Sequence, residues 1–155
     1  MALNIYTHTT GVYMTYEKKL IFRAGTIPYI VENGQVLMMF MKPSNPEYGG
    51  DTFQIAKGRV EDGEDIKTAA LREAKEELGL FIGNVTLIEE LGLFMGRTTV
   101  YVAKVKDRNM FGEPSFEAES VTWMTEQQFL DVGRVLHRPV VSAAMRKIKL
   151  IEGLR

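Results

Sequence analysis

Three glutamates, Glu73, Glu76 and Glu77, stand at i, i+3 and i+4 of a segment rich in Ala, Leu, Glu and Lys. On a helix, at about 100° per residue, they crowd into an arc of roughly 100°, while Ala70, Leu71, Ala74 and Leu78 gather on an adjacent face. Carboxylates so placed repel one another by a few tenths of a kcal/mol per pair, with Arg72 the nearest cation on that side. A divalent metal ion would relieve this, because hard cations such as magnesium take oxygen ligands and share them between carboxylates and substrate phosphates. Taken alone, the glutamates are explained more simply as a solvated face, helped by Lys67 and Lys75.

The surrounding string changes the balance. It runs Gly58-Arg59-Val60-Glu61-Asp62-Gly63-Glu64 and then Arg72-Glu73-Ala74-Lys75-Glu76-Glu77-Leu78-Gly79-Leu80. This resembles the Nudix box: a glycine, a glutamate, then Arg-Glu-apolar-x-Glu-Glu-x-Gly-apolar, with every fixed position filled and only the small Ala74 unusual at an apolar position. Chance gives such a match in on the order of one window in 10^8 at average abundances. Two other loop chemistries are excluded. Gly58 and Gly63 have the separation of a P-loop, but Glu64 and Asp65 stand where Lys and Ser/Thr are needed, and an EF-hand fails on Gly58 and Val60. Glycines at both ends of 58–63 are expected to allow tight turns and close backbone approach to phosphate and metal.

The resemblance to Nudix hydrolases implies an α/β fold, a mixed β-sheet sandwiched between α-helices. It also implies cleavage of a nucleoside diphosphate linked to another moiety, by metal-activated water attacking phosphorus. Carried onto this chain, Glu73, Glu76 and Glu77 would hold magnesium or manganese, joined by the backbone carbonyl near Gly58. Glu64 and Arg72 would orient that group. A distal glutamate is expected from Phe116-Glu117-Ala118-Glu119-Ser120-Val121-Thr122-Trp123, with Glu117 first and Glu119 in reserve. For the proton acceptor, Glu73 and Glu117 are both candidates.

Substrate preference is read from the residues that flank the box. The lead-in Ala56-Lys57-Gly58-Arg59-Val60-Glu61-Asp62-Gly63-Glu64 is similar to that of diadenosine polyphosphate hydrolases, apart from Ala56 in place of proline. The tyrosine that such members carry downstream of the box has Arg97 and Thr98 at its positions here, with Tyr101 out of register. The proline of many ADP-ribose hydrolases is absent too, Met95 and Gly96 standing there. Lys57, Arg59 and Arg97 are candidate polyphosphate contacts, and Tyr48, Phe94 and Tyr101 candidate base-stacking residues. Dinucleoside polyphosphate is the expected substrate. ADP-ribose or nucleotide-sugar, nucleoside triphosphate, an RNA 5′ end and a non-catalytic nucleotide-binding module are the alternatives; the intact box favours an enzyme.

Positioning these groups needs elements on both sides of the box. Asp65 is a good N-cap for a helix over Ile66 to Leu78 that Gly79 stops. Asn33-Gly34 between Gly25–Val31 and Val36–Met41 signals a hairpin. A first hairpin is expected from Val12–Tyr16 and Leu20–Arg23. Residues 42–50 read as a loop and Thr52–Ile55 as a short strand. Further strands are expected at Asn84–Glu89, Thr98–Val105 and Val121–Met124. Thr125 and Gln128 then form a capping box, and Pro139 opens a last helix with a stripe of Val140, Val141, Ala144, Met145 and Ile148.

The 155 residues suffice for one domain, with 1–23 as an N-terminal extension able to enlarge the nucleoside pocket or pair with a second subunit in a homodimer. A formal net charge of -1 argues against the nucleic-acid backbone as main partner. Arg146, Lys147 and Lys149 read as a solvated helix face rather than an RNA contact. With no cysteine, thiolate metal sites, disulfides and cysteine nucleophiles are excluded. Only two histidines, His8 and His137, leave metal chemistry to carboxylates. No apolar run approaches the roughly 20 residues of a membrane span and no leader is visible, so a small-molecule enzyme of the cytoplasm is expected.

Overall fold

A computed structural model of the chain describes residues 2–8, 11–17, 20–48 and 50–155, with backbone alone for the first two stretches and for Tyr48. The side chains of Tyr13, Tyr16 and Tyr48 thus lie outside the described residues. Strands β1 (Ala2–His8) and β2 (Gly11–Glu17) pair antiparallel as a sheet of their own, His8 facing Gly11. This corrects the expected first hairpin: Val12–Tyr16 turns back onto the residues before it, and Leu20–Phe22 is not a strand. Alternation alone does not say which neighbour a strand pairs with.

The main sheet has six strands, β3 (Arg23–Glu32), β4 (Gln35–Pro43), β5 (Ala56–Arg59), β6 (Val85–Phe94), β7 (Thr98–Val105) and β8 (Ala118–Met124), five of them in the order β6-β7-β3-β4-β8 and β5 off that path, paired with β3. One edge of β3 runs parallel to β7, and the others pair antiparallel. The other edge of β3 is divided. Tyr29–Glu32 pair with β4 across the Asn33-Gly34 turn, whose residues have φ of 53° and 76°. Arg23–Thr26 pair instead with β5, which lies at Ala56–Arg59, past the expected Thr52–Ile55. Phe53 and Gln54 make only isolated bridges.

Alternate residues of the central strands are buried on opposite faces, which makes the sandwich visible in named side chains. Helix α1 (Ile66–Leu78) covers one face with Ala69, Ala70, Ala74 and Leu78 over Ala24, Met39, Met41, Tyr101 and Val105. Helices α2 (Glu126–Val132) and α3 (Arg138–Glu152) cover the other with Phe129, Val140, Val141, Ala144 and Ile148 over Ile27, Tyr29, Met38, Phe40 and Val102. The caps are local and act as read. Asp65 accepts the Thr68 amide at 3.2 Å, Gly79 ends α1 at φ 77°, and Thr125 and Gln128 bond reciprocally. Among the described residues no helix is long and apolar enough to cross a membrane.

Candidate active site

Where β4 and β5 part along β3, a cleft of about 680 Å³ opens, with Glu73 and Glu77 of α1 on one side and Lys57, Gly58 and Arg59 of β5 on the other. The small residues on the inner face of α1 let the helix lie close over β3, and Thr26 fixes it by donating its hydroxyl to the Ala70 carbonyl at 3.0 Å. Gly58 is not a turn residue, contrary to the expectation. It sits within β5 opposite Ala24, and a Cβ there would run into the Glu73 carboxylate. Close approach alone demands that glycine, whereas Gly63, at φ 76°, does serve a turn.

Arg72 organises the acidic side. Its Nε and Nη2 donate to the two oxygens of Glu64 at 2.8 and 2.9 Å, a bidentate fork, while Nη1 donates to Glu73 at 2.9 Å. Nη2 also reaches the Arg59 carbonyl at 2.9 Å, tying helix to loop. Those Arg72 bonds, with the Glu61 amide, hold the Glu64 carboxyl down at about 2. Glu73 is 9% exposed, and its burial pushes the carboxyl up against the pull of Arg72. Among the described residues Glu77 accepts only the Lys57 amide, at 2.8 Å; burial first, then the charge of Glu73, pushes its carboxyl up to about 8.

The remaining expected residues are placed unevenly. Glu117 lines the cleft from an exposed loop whose carbonyl is held by the Ser44 amide at 2.8 Å. Glu119 instead pairs with Lys42 at 3.4 Å. Glu76 is exposed, 3.5 Å from Arg72 Nη1, and does not line the cleft. Lys57 and Arg59 do, and burial lowers the Lys57 ammonium. Arg97 is exposed in the β6–β7 turn and does not line the cleft, although its neighbours Met95 and Thr98 do. Tyr101 is buried beneath α1 with Ala69 and Ala70 and does not line the cleft, so it offers no face to a base there.

Sequence reasoning passed over Arg23, Gln54, Arg134 and His137. The first three line the cleft. His137, fully buried, accepts the Ile55 amide through Nδ1 at 3.0 Å, and burial pushes its imidazole down to about 3. No local signal marks these residues, because Arg134 reaches Gln54 across 80 positions.

As a donor set for an ion, the acidic side is all oxygen, which suits a hard divalent cation. Among the described residues no three carboxylate or imidazole groups already converge on one point. The reason is visible: Glu73 and Glu76 turn to Arg72, and Glu77 to the Lys57 amide.

Comparison with known proteins decides the family. The NUDIX domain profile matches residues 22–144, from the residue before β3 into α3. The chain belongs to the Nudix family. It is a Nudix pyrophosphohydrolase by class, and its box supplies Gly58, Glu64, Arg72 and the three glutamates of α1. A pig bis(5′-nucleosyl)-tetraphosphatase [asymmetrical] is 34% identical over 113 residues, 68% of this chain and 74% of that protein. Among solved structures, a C. elegans Ap4A hydrolase binary complex is similar at 21% identity and TM-score 0.69, covering 83% of this chain and 98% of that one. The NUDIX domain of Shewanella oneidensis NrtR with ADP ribose is similar at 14% identity and TM-score 0.67, covering 85% and 90%. These structural likenesses speak for the Nudix fold alone.

Proposed function

We propose that this Nudix hydrolase cleaves dinucleoside polyphosphates with magnesium or manganese bound. The observation that carries the reading is that one cleft brings together the carboxylates Glu73, Glu77 and Glu117 and the cations Lys57 and Arg59, with Gly58 against Glu73. The named activity of the pig relative supports the same substrate class. Glu73, Glu77 and Glu117, with the Gly58 carbonyl and with Glu76 once it leaves Arg72, are the groups that would hold the ion. When bound, it supplies the positive charge that activates water and offsets the phosphates.

The protein's own contributions follow from its contacts. Arg72, locked to Glu64 by two bonds, fixes the direction of the Glu73 carboxylate. Lys57 does two things, its amide orienting Glu77 while its ammonium lines the cleft. Glu73 or Glu117 would take the proton of the attacking water. Lys57 and Arg59 hold phosphates beyond the scissile one.

A substrate panel tests this. With magnesium or manganese, diadenosine tetraphosphate should turn over faster than ADP-ribose, ATP or 5′-triphosphate RNA, and either ion should raise the melting temperature by binding the folded state. An inert diadenosine tetraphosphate alongside rapid turnover of another member would replace the substrate. Turnover unaffected by EDTA would remove the metal.

A further inference from the structure

We infer that Arg134 and Arg23, both outside the Nudix box, complete with Lys57 and Arg59 a cationic cradle that binds the distal part of a polyphosphate chain. The sheet register brings three of the four together. Arg23 stands directly opposite Arg59 in the β3–β5 pair, and Lys57, two residues before Arg59, shares its face of the strand. Like charges directly opposite across a ladder are destabilising, so this arrangement costs the fold something. Arg134 enters the same cleft from the connection between α2 and α3.

That connection is stitched to the cleft floor. The Arg134 amide donates to the Phe53 carbonyl at 2.8 Å, its Nη1 to Gln54 Oε1 at 3.1 Å, and the Ile55 amide to His137 Nδ1 at 3.0 Å. With Nδ1 accepting, the neutral ring carries its proton on Nε2. The approach of Arg134 Nη1 to Nε2, at 3.3 Å, therefore joins two donors and leaves the guanidinium charge uncompensated.

Five basic side chains elsewhere pair with acids, Lys42 with Glu119, Arg72 with Glu64, Lys104 with Glu152, Arg108 with Glu32 and Lys147 with Glu89, and others outside the cleft, such as Lys67, Lys75 and Arg155, are exposed to water. Among the described residues no carboxylate lies within 4.0 Å of the side-chain nitrogens of Arg23, Lys57, Arg59 or Arg134, although Glu47, Glu73, Glu77 and Glu117 share the cleft. Four cations kept apart from available acids in one concavity suit a chain of phosphates, which Arg binds through a fork and Lys as a point charge. In this assignment the two phosphates of a short substrate lie against Glu73 and Glu77, and the phosphates of a longer chain extend to Arg134. This length dependence rests on the proposed substrate class; the anion site itself does not.

The test compares Arg134→Gln, Arg134→Lys and Arg23→Gln with the unmodified enzyme in two assays. The first is kcat/KM, with magnesium, for diadenosine tetraphosphate and for ADP-ribose. The second is calorimetric binding of inorganic tripolyphosphate in EDTA, after melting curves show each variant folded. Arg134→Gln should weaken tripolyphosphate about tenfold or more, the scale of a lost charge-assisted bond, with Arg134→Lys recovering part and Arg23→Gln a smaller loss. The same variant should lower kcat/KM for the tetraphosphate, through KM, about tenfold beyond its effect on ADP-ribose. Unchanged tripolyphosphate binding in both Gln variants overturns the cradle, and equal losses on the two substrates overturn the length dependence. If the unmodified enzyme leaves diadenosine tetraphosphate intact while Arg134→Gln still weakens tripolyphosphate, the substrate reading falls and the anion site stands.

Discussion

Two partly buried glutamates on helices that cover opposite faces of the sheet, Glu152 and Glu77, show how differently one residue type can be used. Glu152, the last residue of α3, accepts from Lys104 Nζ at 2.6 Å and from the Tyr29 hydroxyl at 3.1 Å, so each carboxylate oxygen has a partner. It anchors the helix end to β3 and β7. Among the described residues Glu77 accepts one backbone amide, feels the Lys57 ammonium from beyond ion-pair distance, and has the larger effect of the like charge of Glu73 beside it. A buried charge settled by internal partners serves the fold, whereas one left unsettled beside another of its sign is at a disadvantage until an external cation arrives. The contrast separates a structural acid from a chemical one without reference to any motif.

The strongest way to break that distinction is to neutralise each acid in turn. Glu77→Gln should lower kcat on the order of 10²- to 10³-fold, the loss typical when one preset electrostatic group leaves an active site. The metal-free protein should melt no lower than the parent, since a repulsion has been removed. Steady-state kinetics at saturating magnesium together with a melting curve in EDTA check both halves. Parental turnover would take Glu77 out of the ion site.

Glu152→Gln should show the reverse pattern. Removing the charge leaves Lys104 and the Tyr29 hydroxyl with a weaker acceptor, a cost of about 1–2 kcal/mol given that Lys104 is partly solvated. Urea denaturation should register that loss while kcat/KM stays within about twofold of the parent. A variant that lost activity and kept its stability would mean that the α3 end communicates with the cleft, and the two acids could no longer be sorted by their partners.

What the sequence disclosed followed the range of the interactions involved. Asp65, Gly79, Thr125 and Gln128 act within four residues of themselves, and the Asn33-Gly34 turn within its own hairpin, so residue type and spacing suffice for them. The pairing of β5 with β3 depends on a strand more than 30 positions away, and the expected strand fell just short of it at Thr52–Ile55. Tyr101 was misjudged for a related reason. Strand β7 is buried on both faces, so no alternation in the sequence tells which face its tyrosine takes. Arg23 and Arg134 are unremarkable as residues, and their meaning comes from the register and loop that carry them into the same cleft.

The smallest expected effect sharpens the comparison through pH. The Glu77 carboxyl, ordinarily near 4.5, is pushed up to about 8, so between those values the folded chain keeps a proton that the unfolded chain releases. Its contribution to stability is therefore complete below pH 4.5 and lost as pH rises toward 8, with Glu73, also raised, acting in the same direction. His137 works oppositely. Its imidazole, ordinarily near 6.5, is pushed down to about 3, so the unfolded chain binds the extra proton and stability is lost as pH falls below 6.5. Glu64, held down at about 2, matters only in acid. The Glu77 and His137 slopes thus oppose each other between pH 4.5 and 6.5, while above 6.5 His137 is silent and the glutamates act without it. Urea midpoints measured in EDTA should decline from pH 6.5 to 8 in the parent and change less in Glu77→Gln, whereas Glu152→Gln should follow the parent's slope from a lower start. Parallel curves for the parent and Glu77→Gln would mean that the Glu77 carboxylate is already settled without an external cation, and the difference from Glu152 would vanish.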